Sequence, residues 1–213
     1  MADTPLTYEV EIRFCVADAE QAFALLPFLQ ASLGAEKAWD TDILGRPIYE
    51  AGELLRVGRV PAAGTTHYYL GYKGADEGTF ANIRQEWGEE ITNGVEQSTI
   101  LAKVGIAESF ATPAAVLEKL NVLGHGPFMT FQGVDRLGYD AHFDVQTKLM
   151  RCPKILGEQV MVELEQGAAS YAEALVAEEN LRQIAAKFGL TERLIREEPP
   201  TLLYRVTFPE NRG

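Results

Sequence analysis

Short alternating segments recur along this chain, and their polar faces carry charges of both signs. Residues 6 to 15 place Glu9, Glu11 and Arg13 on one side of a strand and apolar side chains on the other. A single charged face is typical of a strand that borders water, whereas a repeated one indicates that several such faces enclose a common interior. The same spacing recurs at Arg84 and Glu86, and at Glu163 and Glu165.

The pattern of elements predicts an α+β protein with an antiparallel sheet and helices packed outside it. Links of hairpin length, rich in Gly and Pro, separate most strand segments. Strands are expected at about 6–15, 36–44, 53–60, 66–73, 80–91, 127–136, 139–146 and 158–166. Helices are expected after Asp18, within 95–124 and within 169–189, and the tail 199–208 is expected to be extended after its prolines.

The 213 residues contain no repeat or linker, so one domain is predicted over 1–213, with strands from about 6 to 166 and a C-terminal helix and tail over 167–213. A net charge of −12 disfavours a nucleic-acid partner. The sequence has neither a membrane-length apolar stretch nor a signal-like N-terminus, which predicts a cytoplasmic protein with no membrane role. Cys15 and Cys152 lie far apart and are expected to be buried structural thiols.

An interior that holds both carboxylates and cations requires a functional explanation. Burying an ion costs several kcal/mol unless it is paired or bound to a ligand. Carboxylates are the ligands that Mg²⁺ and Mn²⁺ prefer, and Arg and Lys side chains bind phosphate groups. The recurring faces therefore predict a site in which a metal ion bridges a polyphosphate.

A series of motifs resembles one family in the order of the chain. The opening strand carries Glu9-Val-Glu11-Ile-Arg13, and the last predicted strand carries Glu163-Leu-Glu165. Between them lie Leu55-Arg56-Val57-Gly58-Arg59, Gly71-Tyr72-Lys73-Gly74, Arg84-Gln85-Glu86, Arg136-Leu-Gly-Tyr139 and Asp144-Val145 followed by Leu156-Gly157. Together these motifs resemble the CYTH, or triphosphate tunnel metalloenzyme, superfamily, which includes class IV adenylyl cyclases, thiamine triphosphatases and tripolyphosphatases.

The resemblance implies a closed eight-stranded antiparallel β-barrel and a set of site residues. It implies Mg²⁺ or Mn²⁺ as cofactor and a small triphosphate as substrate. The implied metal ligands are Glu9, Glu11, Asp144, Glu163 and Glu165; the implied phosphate ligands are Arg13, Arg56, Lys73, Arg84 and Arg136, of which Lys73 and Arg136 are also the expected catalytic residues.

Several positions depart from the family pattern. Arg13 replaces a Lys, Gly58 replaces an Arg, and Val134 stands where the cyclases carry a Lys. The segment before Glu163 contains Lys148, Arg151 and Lys154, which could form a solvated loop or supply the missing cation.

Three functions remain open on these grounds. The first is hydrolysis of tripolyphosphate, thiamine triphosphate or a nucleoside triphosphate, and the second is cyclisation of ATP to cAMP and pyrophosphate. The third is a sensor that binds polyphosphate without turnover. The cyclase branch also implies a homodimer. Because Glu163 is expected within a cluster of repelling carboxylates, its removal is expected to leave the protein equally or more stable.

Overall fold

The computed structural model describes residues 7–211 as a mixture of strands and helices. The strands are β1 (Thr7–Val16), β2 (Leu33–Leu44), β3 (Leu54–Ala62), β4 (Thr65–Lys73), β5 (Asn82–Glu90), β6 (Pro127–Asp140), β7 (Val145–Arg151), β8 (Val160–Ala168) and β9 (Leu194–Ile195). The helices are α1 (Ala19–Leu25), α2 (Leu29–Ser32), α3 (Arg46–Glu50), α4 (Thr99–Lys103), α5 (Pro113–Val122), α6 (Pro153–Leu156), α7 (Tyr171–Lys187) and α8 (Pro199–Thr207).

The strands pair in one continuous order that returns to its start. That order is β5-β4-β3-β2-β6-β7-β8-β1-β9, and β5 also pairs with β1. The eight longer strands therefore form the closed antiparallel β-barrel that the motif series predicted, and β9 is a short addition beside β1.

The residues group into two compact units. Unit 1 contains Trp39–Asp76 and Gln85–Phe131, and unit 2 contains Thr7–Ala38, Glu77–Arg84 and the chain from Gln132 onward. The prediction of a single domain over 1–213 stays a prediction.

Unit 2 has an apolar core between its strands and α7. Alternate residues of β1 and β8, such as Val10, Phe14 and Val162, are completely buried, and Leu181 of α7 packs into the same cluster. Helix α7 begins where the Ser170 side chain accepts from the backbone N–H of Glu173, the N-cap geometry that satisfies an otherwise free donor. Because strand side chains alternate, the opposite faces of β1 and β8 are left for polar residues.

Unit 1 has its own apolar core, in which α4 and α5 pack against one face of β3 and β4. Leu55, Val57 and Leu70 pack in the same cluster as Leu120 of α5. The Thr112 side chain caps α5 and Pro113 occupies the first turn, as the sequence predicted.

The structure differs from the predicted elements in three places. The helix expected after Asp18 is divided around Pro27 into α1 and α2. The strand expected at 127–136 extends to Asp140 as β6, residues 141–144 form a turn, and the next strand, β7, occupies 145–151 rather than 139–146. The tail expected to be extended forms α8, because Pro199 and Pro200 lie in the first turn, where a missing N–H costs no intrahelical bond.

Candidate functional site

The polar faces of β1, β8 and β7 bring charged residues together in unit 2. In the antiparallel register Arg13 is opposite Glu163, and Glu163 is opposite Lys148. Directly opposed residues in an antiparallel pair point to the same side of the sheet. The three side chains therefore share one face, as the alternation of the sequence predicted for Arg13 and Glu163.

Arg13 is fully buried and is held by several acceptors. Its Nη1 donates to Oδ1 of Asn82 at 2.8 Å and to the Arg196 carbonyl at 3.0 Å, and its Nη2 pairs with Glu11. Its Nε lies 3.5 Å from the Glu163 carboxylate. A guanidinium with partners in fixed directions orients the carboxylates around it.

Lys148 is the second cation on this face. Its Nζ lies 2.9 Å from the Glu163 carboxylate and 3.7 Å from that of Asp135. Lys148 lies on β7 rather than in a loop, and the alternation of buried Val145, Thr147 and Leu149 could have revealed this strand. Lys148 therefore contacts a predicted metal ligand, Glu163.

The other two candidate replacement cations lie elsewhere in unit 2. Arg151 is directly opposite Val134 in the β6–β7 register, but its guanidinium pairs with Glu36 and both side chains are about half exposed. Lys154 lies in α6.

Arg84 pairs with a residue that the sequence did not single out. Its Nε lies 3.0 Å from the carboxylate of Glu198, and both side chains are largely buried. Glu198 also approaches Arg13, with 3.9 Å between the carboxylate and Nη2. No local pattern marks Glu198, since it follows two charged residues of an apparently solvated segment.

The carboxylates predicted to bind metal lie on β1, on β8 and in the turn between β6 and β7. Glu9 and Glu11 are buried on β1, and Glu11 is directly opposite Glu165 of β8. Asp144 lies in the turn between β6 and β7 with a positive φ of 53°, and accepts a hydrogen bond from the Tyr139 hydroxyl at 2.5 Å. That bond raises the pKa of Tyr139. A cavity of about 290 Å³ is lined by Asp144, Glu165 and Tyr139, among other residues.

These carboxylates suit a divalent cation whose remaining ligands come from water or from a bound phosphate compound. Among residues 7–211 no three His, Cys, Asp or Glu side chains are arranged to hold a metal ion on their own. Mg²⁺, however, commonly binds through one or two carboxylates, with water and substrate phosphates as its other ligands. Glu11 and Glu165 supply two oxygen donors at opposed positions on neighbouring strands, and Glu9 shares their face. The donor set therefore fits a divalent cation that takes oxygen ligands.

Arg136 lies on a different face from Lys148 and Glu163. It is opposite Leu149 in the β6–β7 register, whereas Lys148 is opposite Leu137. Its guanidinium donates to the carbonyls of Gly34 at 3.0 Å and Leu33 at 3.3 Å. The structure therefore does not bring Arg136 together with the charged cluster of β1, β7 and β8.

Arg56 and Lys73 belong to unit 1, where they share a face with Glu86. Nη2 of Arg56 donates to the Glu86 carboxylate at 3.0 Å, and buried Lys73 is directly opposite Glu86 in the β4–β5 register. Gly71 is opposite Arg56, and a Cβ atom there would lie 3.0 Å from the Arg56 Nε. The glycine leaves room for the arginine side chain to lie across the strand.

A second ion-paired group of unit 1 was not predicted. Arg59 pairs with both Asp40 and Asp42, and the Thr130 hydroxyl donates to Asp42 at 2.6 Å. Burial raises the pKa of Asp42, but the hydrogen bonds from Arg59 and Thr130 outweigh it and hold that pKa below its ordinary value. The Asp-x-Asp spacing of β2 was the available signal.

The two cysteines lack the properties of nucleophiles. Burial raises the pKa of the Cys15 thiol, and the nearby charge of Glu163 raises it further. Burial also raises the pKa of Cys152, whose Sγ donates to the Gln132 carbonyl at 3.2 Å. Since the thiolate is the nucleophile, both thiols are poorly reactive at neutral pH.

Among the described residues, the helices are too short or too polar to cross a bilayer.

Comparisons with known proteins identify the fold. Neither protein-family models nor curated proteins match this sequence. Among solved structures, a Pyrococcus horikoshii protein is 18% identical, covers 92% of this chain and 98% of its own, and superposes with a TM-score of 0.68. A protein from Vibrio parahaemolyticus proposed to be an adenylate cyclase is 12% identical, with coverages of 92% and 97% and a TM-score of 0.63.

A third neighbour comes from Hippeastrum. It is a candidate adenylyl cyclase with a dominant triphosphatase activity, 15% identical, with coverages of 86% and 88% and a TM-score of 0.52. At these identities the likeness establishes the fold alone, a closed antiparallel β-barrel with helices.

Proposed function

We propose that this chain is a divalent-metal-dependent enzyme that hydrolyses a triphosphate. The observation that carries the proposal is the buried face of unit 2 on which Arg13, Lys148 and Glu163 lie with Glu11 and Glu165. Enclosing so many charged side chains contributes little to the stability of a fold. A polyphosphate with a bound metal ion, however, requires both kinds of charge, since cationic side chains bind its phosphates and carboxylates bind its metal.

The cations of unit 2 bind and orient phosphate groups in this proposal. Lys148 and Arg84 are partly accessible, with 29% and 14% of their side chains exposed. Arg13 is a predicted phosphate ligand, and its contacts with Glu11 and Glu163 also fix the direction of both carboxylates. Arg56 and Lys73 stay predicted phosphate ligands on unit 1, and Arg136 stays a predicted phosphate ligand and catalytic residue.

The carboxylates hold the metal ion. Glu9, Glu11 and Glu165, with Glu163 and Asp144, are the residues proposed to supply its oxygen ligands. When bound, Mg²⁺ or Mn²⁺ neutralises phosphate charge and polarises the phosphoryl group. Catalysis of phosphoryl transfer depends mainly on such positioning and charge neutralisation, so no separate nucleophilic side chain is required.

Hydrolysis is favoured over cyclisation by two observations. Val134 provides no cation where the resembled cyclases carry a Lys, and Arg151, directly opposite it, is paired with Glu36. The Hippeastrum neighbour has the same fold and a dominant triphosphatase activity. Cyclisation of ATP is the second candidate, and a binding-only sensor is the third.

A product assay separates the three functions. Purified protein is incubated with Mg²⁺ or Mn²⁺ and with tripolyphosphate, thiamine triphosphate or ATP, and the products are resolved by anion-exchange chromatography. Release of phosphate supports the hydrolase, while cAMP with pyrophosphate identifies the cyclase. Binding without any product identifies the sensor, and the absence of both binding and turnover refutes the proposal.

A matched pair of variants ties the activity to this face. Glu11→Gln removes a buried carboxylate of β1, and Glu158→Gln removes an exposed one before β8. We expect the first variant to lose turnover and the second to keep it. The cytoplasmic location and the homodimer stay part of the proposal, and size-exclusion chromatography with light scattering tests the dimer.

A further inference from the structure

The chain segment after α7 is anchored against Arg13. Strand β9 pairs with β1, with Ile195 opposite Arg13 and Leu194 opposite Phe14. The next residue, Arg196, accepts from Nη1 of Arg13 through its carbonyl at 3.0 Å. The guanidinium of Arg196 donates in turn to the Gly78 carbonyl at 3.2 Å. These contacts place the residues that follow beside the charged cluster of unit 2.

Two prolines then direct the side chain of Glu198. Glu198 occupies the N-cap position of α8, where a carboxylate usually accepts from the first free N–H groups, yet its side chain makes no capping bond. Pro199 and Pro200 have no N–H to offer. The next two N–H groups, of Thr201 and Leu202, both donate to the Glu198 backbone carbonyl, at 2.8 and 3.1 Å. The carboxylate is therefore available to partners outside the helix.

Those partners are Arg84 and Arg13, two cations that bind phosphate groups in the proposed function. The Glu198 carboxylate lies 3.0 Å from Nε of Arg84 and 3.9 Å from Nη2 of Arg13. Only 7% of the Glu198 side chain is exposed, against 14% for Arg84 and 0% for Arg13. A buried carboxylate thus lies between two of the predicted phosphate ligands.

We propose that Glu198 is an internal competitor for this anion position, and that a phosphate group of the substrate binds at Arg84 and Arg13 by displacing it. The inference rests on the proposed function. A phosphate group carries more charge and more acceptor oxygens than a carboxylate, so it can replace Glu198 at both guanidinium groups. Retaining both anions would instead add repulsion at a largely buried position. Glu198 thereby lowers the affinity for phosphate compounds and selects those that can contact additional cations.

The neighbouring glutamate provides the matched control. Glu197 pairs with Arg205 at 2.7 Å, and these two side chains are 35% and 56% exposed. Glu197→Gln and Glu198→Gln therefore make the same chemical change one residue apart, but only the second empties the anion position.

Isothermal titration calorimetry with tripolyphosphate, with and without Mn²⁺, tests the proposal. Glu198→Gln is expected to bind about tenfold more tightly than the parent, because the competing ion pair with Arg84 is lost, while Glu197→Gln is expected to bind like the parent. A purely structural role for Glu198 predicts equal or weaker binding in Glu198→Gln, and that result overturns the inference while leaving the proposed function intact. If tripolyphosphate does not bind, the titration is repeated with thiamine triphosphate and ATP. If none of the three compounds binds any of the three proteins, the proposed function fails and the inference fails with it.

A second variant keeps the test possible if Glu198→Gln does not fold. Glu198→Asp keeps the charge but withdraws the carboxylate by one methylene group. If Glu198→Gln melts below the titration temperature, Glu198→Asp carries the test. Tighter binding than the parent then supports the competition, and parental affinity overturns it.

Discussion

Arg13 and Glu163 are directly opposed on β1 and β8, and the Arg13 Nε lies 3.5 Å from the Glu163 carboxylate. Lys148 approaches the same carboxylate at 2.9 Å from the other neighbouring strand. Glu163 is therefore held between two cations. These ion pairs contradict the premise that Glu163 lies among repelling carboxylates, since the sequence did not reveal which cations lie beside it.

Glu163→Ala is accordingly expected to destabilise the protein by about 3 kcal/mol, the cost of removing one partner from a buried ion pair. Urea unfolding measures the change, with exposed Glu158→Ala as the control that should unfold like the parent. Unchanged stability in Glu163→Ala would show that Arg13 and Lys148 do not depend on this carboxylate. The same variant is expected to lose turnover.

Glu178 of α7 stabilises the backbone before β5. Its Oε1 accepts from the N–H groups of Thr79, Phe80 and Ala81, at 3.0, 2.6 and 2.9 Å. Glu178→Ala leaves these donors without that acceptor and is expected to cost about 3 kcal/mol. Exposed Glu179→Ala on the same helix is the control for thermal unfolding, and equal melting temperatures would contradict the prediction.

The same carboxylate predicts a loss of stability in acid. Burial raises the pKa of Glu178, but the three backbone donors outweigh it and hold the pKa below its ordinary value of 4.5. A lowered pKa in the folded state stabilises the protein above that ordinary value, and the contribution disappears as pH falls through the folded pKa. As the pH falls below 4.5, the melting temperature of the parent should therefore decrease more steeply than that of Glu178→Ala.

Activity is expected to require added Mg²⁺ or Mn²⁺, because the proposed ligands are carboxylate oxygens. Excess EDTA should abolish turnover, and restoring the metal should recover it. Full activity in the chelator would refute the assignment of Glu9, Glu11 and Glu165 as metal ligands.

The cysteine environments predict slow alkylation. Iodoacetamide at neutral pH should label Cys15 and Cys152 far more slowly than it labels the unfolded chain, since burial raises both thiol pKa values. Mass spectrometry counts the added groups, and guanidinium-unfolded protein is the control. Rapid labelling of native Cys15 would indicate an activated thiol instead.

The β6–β7 region shows where sequence prediction of the strands was limited. The two predicted strands, 127–136 and 139–146, were separated at Leu137 and Gly138, yet β6 continues to Asp140. Gly138 is required by a close approach, since a Cβ atom there would lie 2.2 Å from the Ser32 carbonyl. A glycine that admits another backbone and a glycine that ends a strand look alike in sequence.

The sequence by itself determined which side chains share a face. Strand alternation is a local property, so Glu9, Glu11 and Arg13 could be grouped from spacing alone, and the ordered motifs predicted the closed barrel. Only the tertiary structure decided the partners across strands: Lys148 beside Glu163, Arg136 on another face, and Glu198 beside Arg84. Such contacts depend on register and on how the chain returns after α7, and these are set by packing between distant segments rather than by the residues nearby.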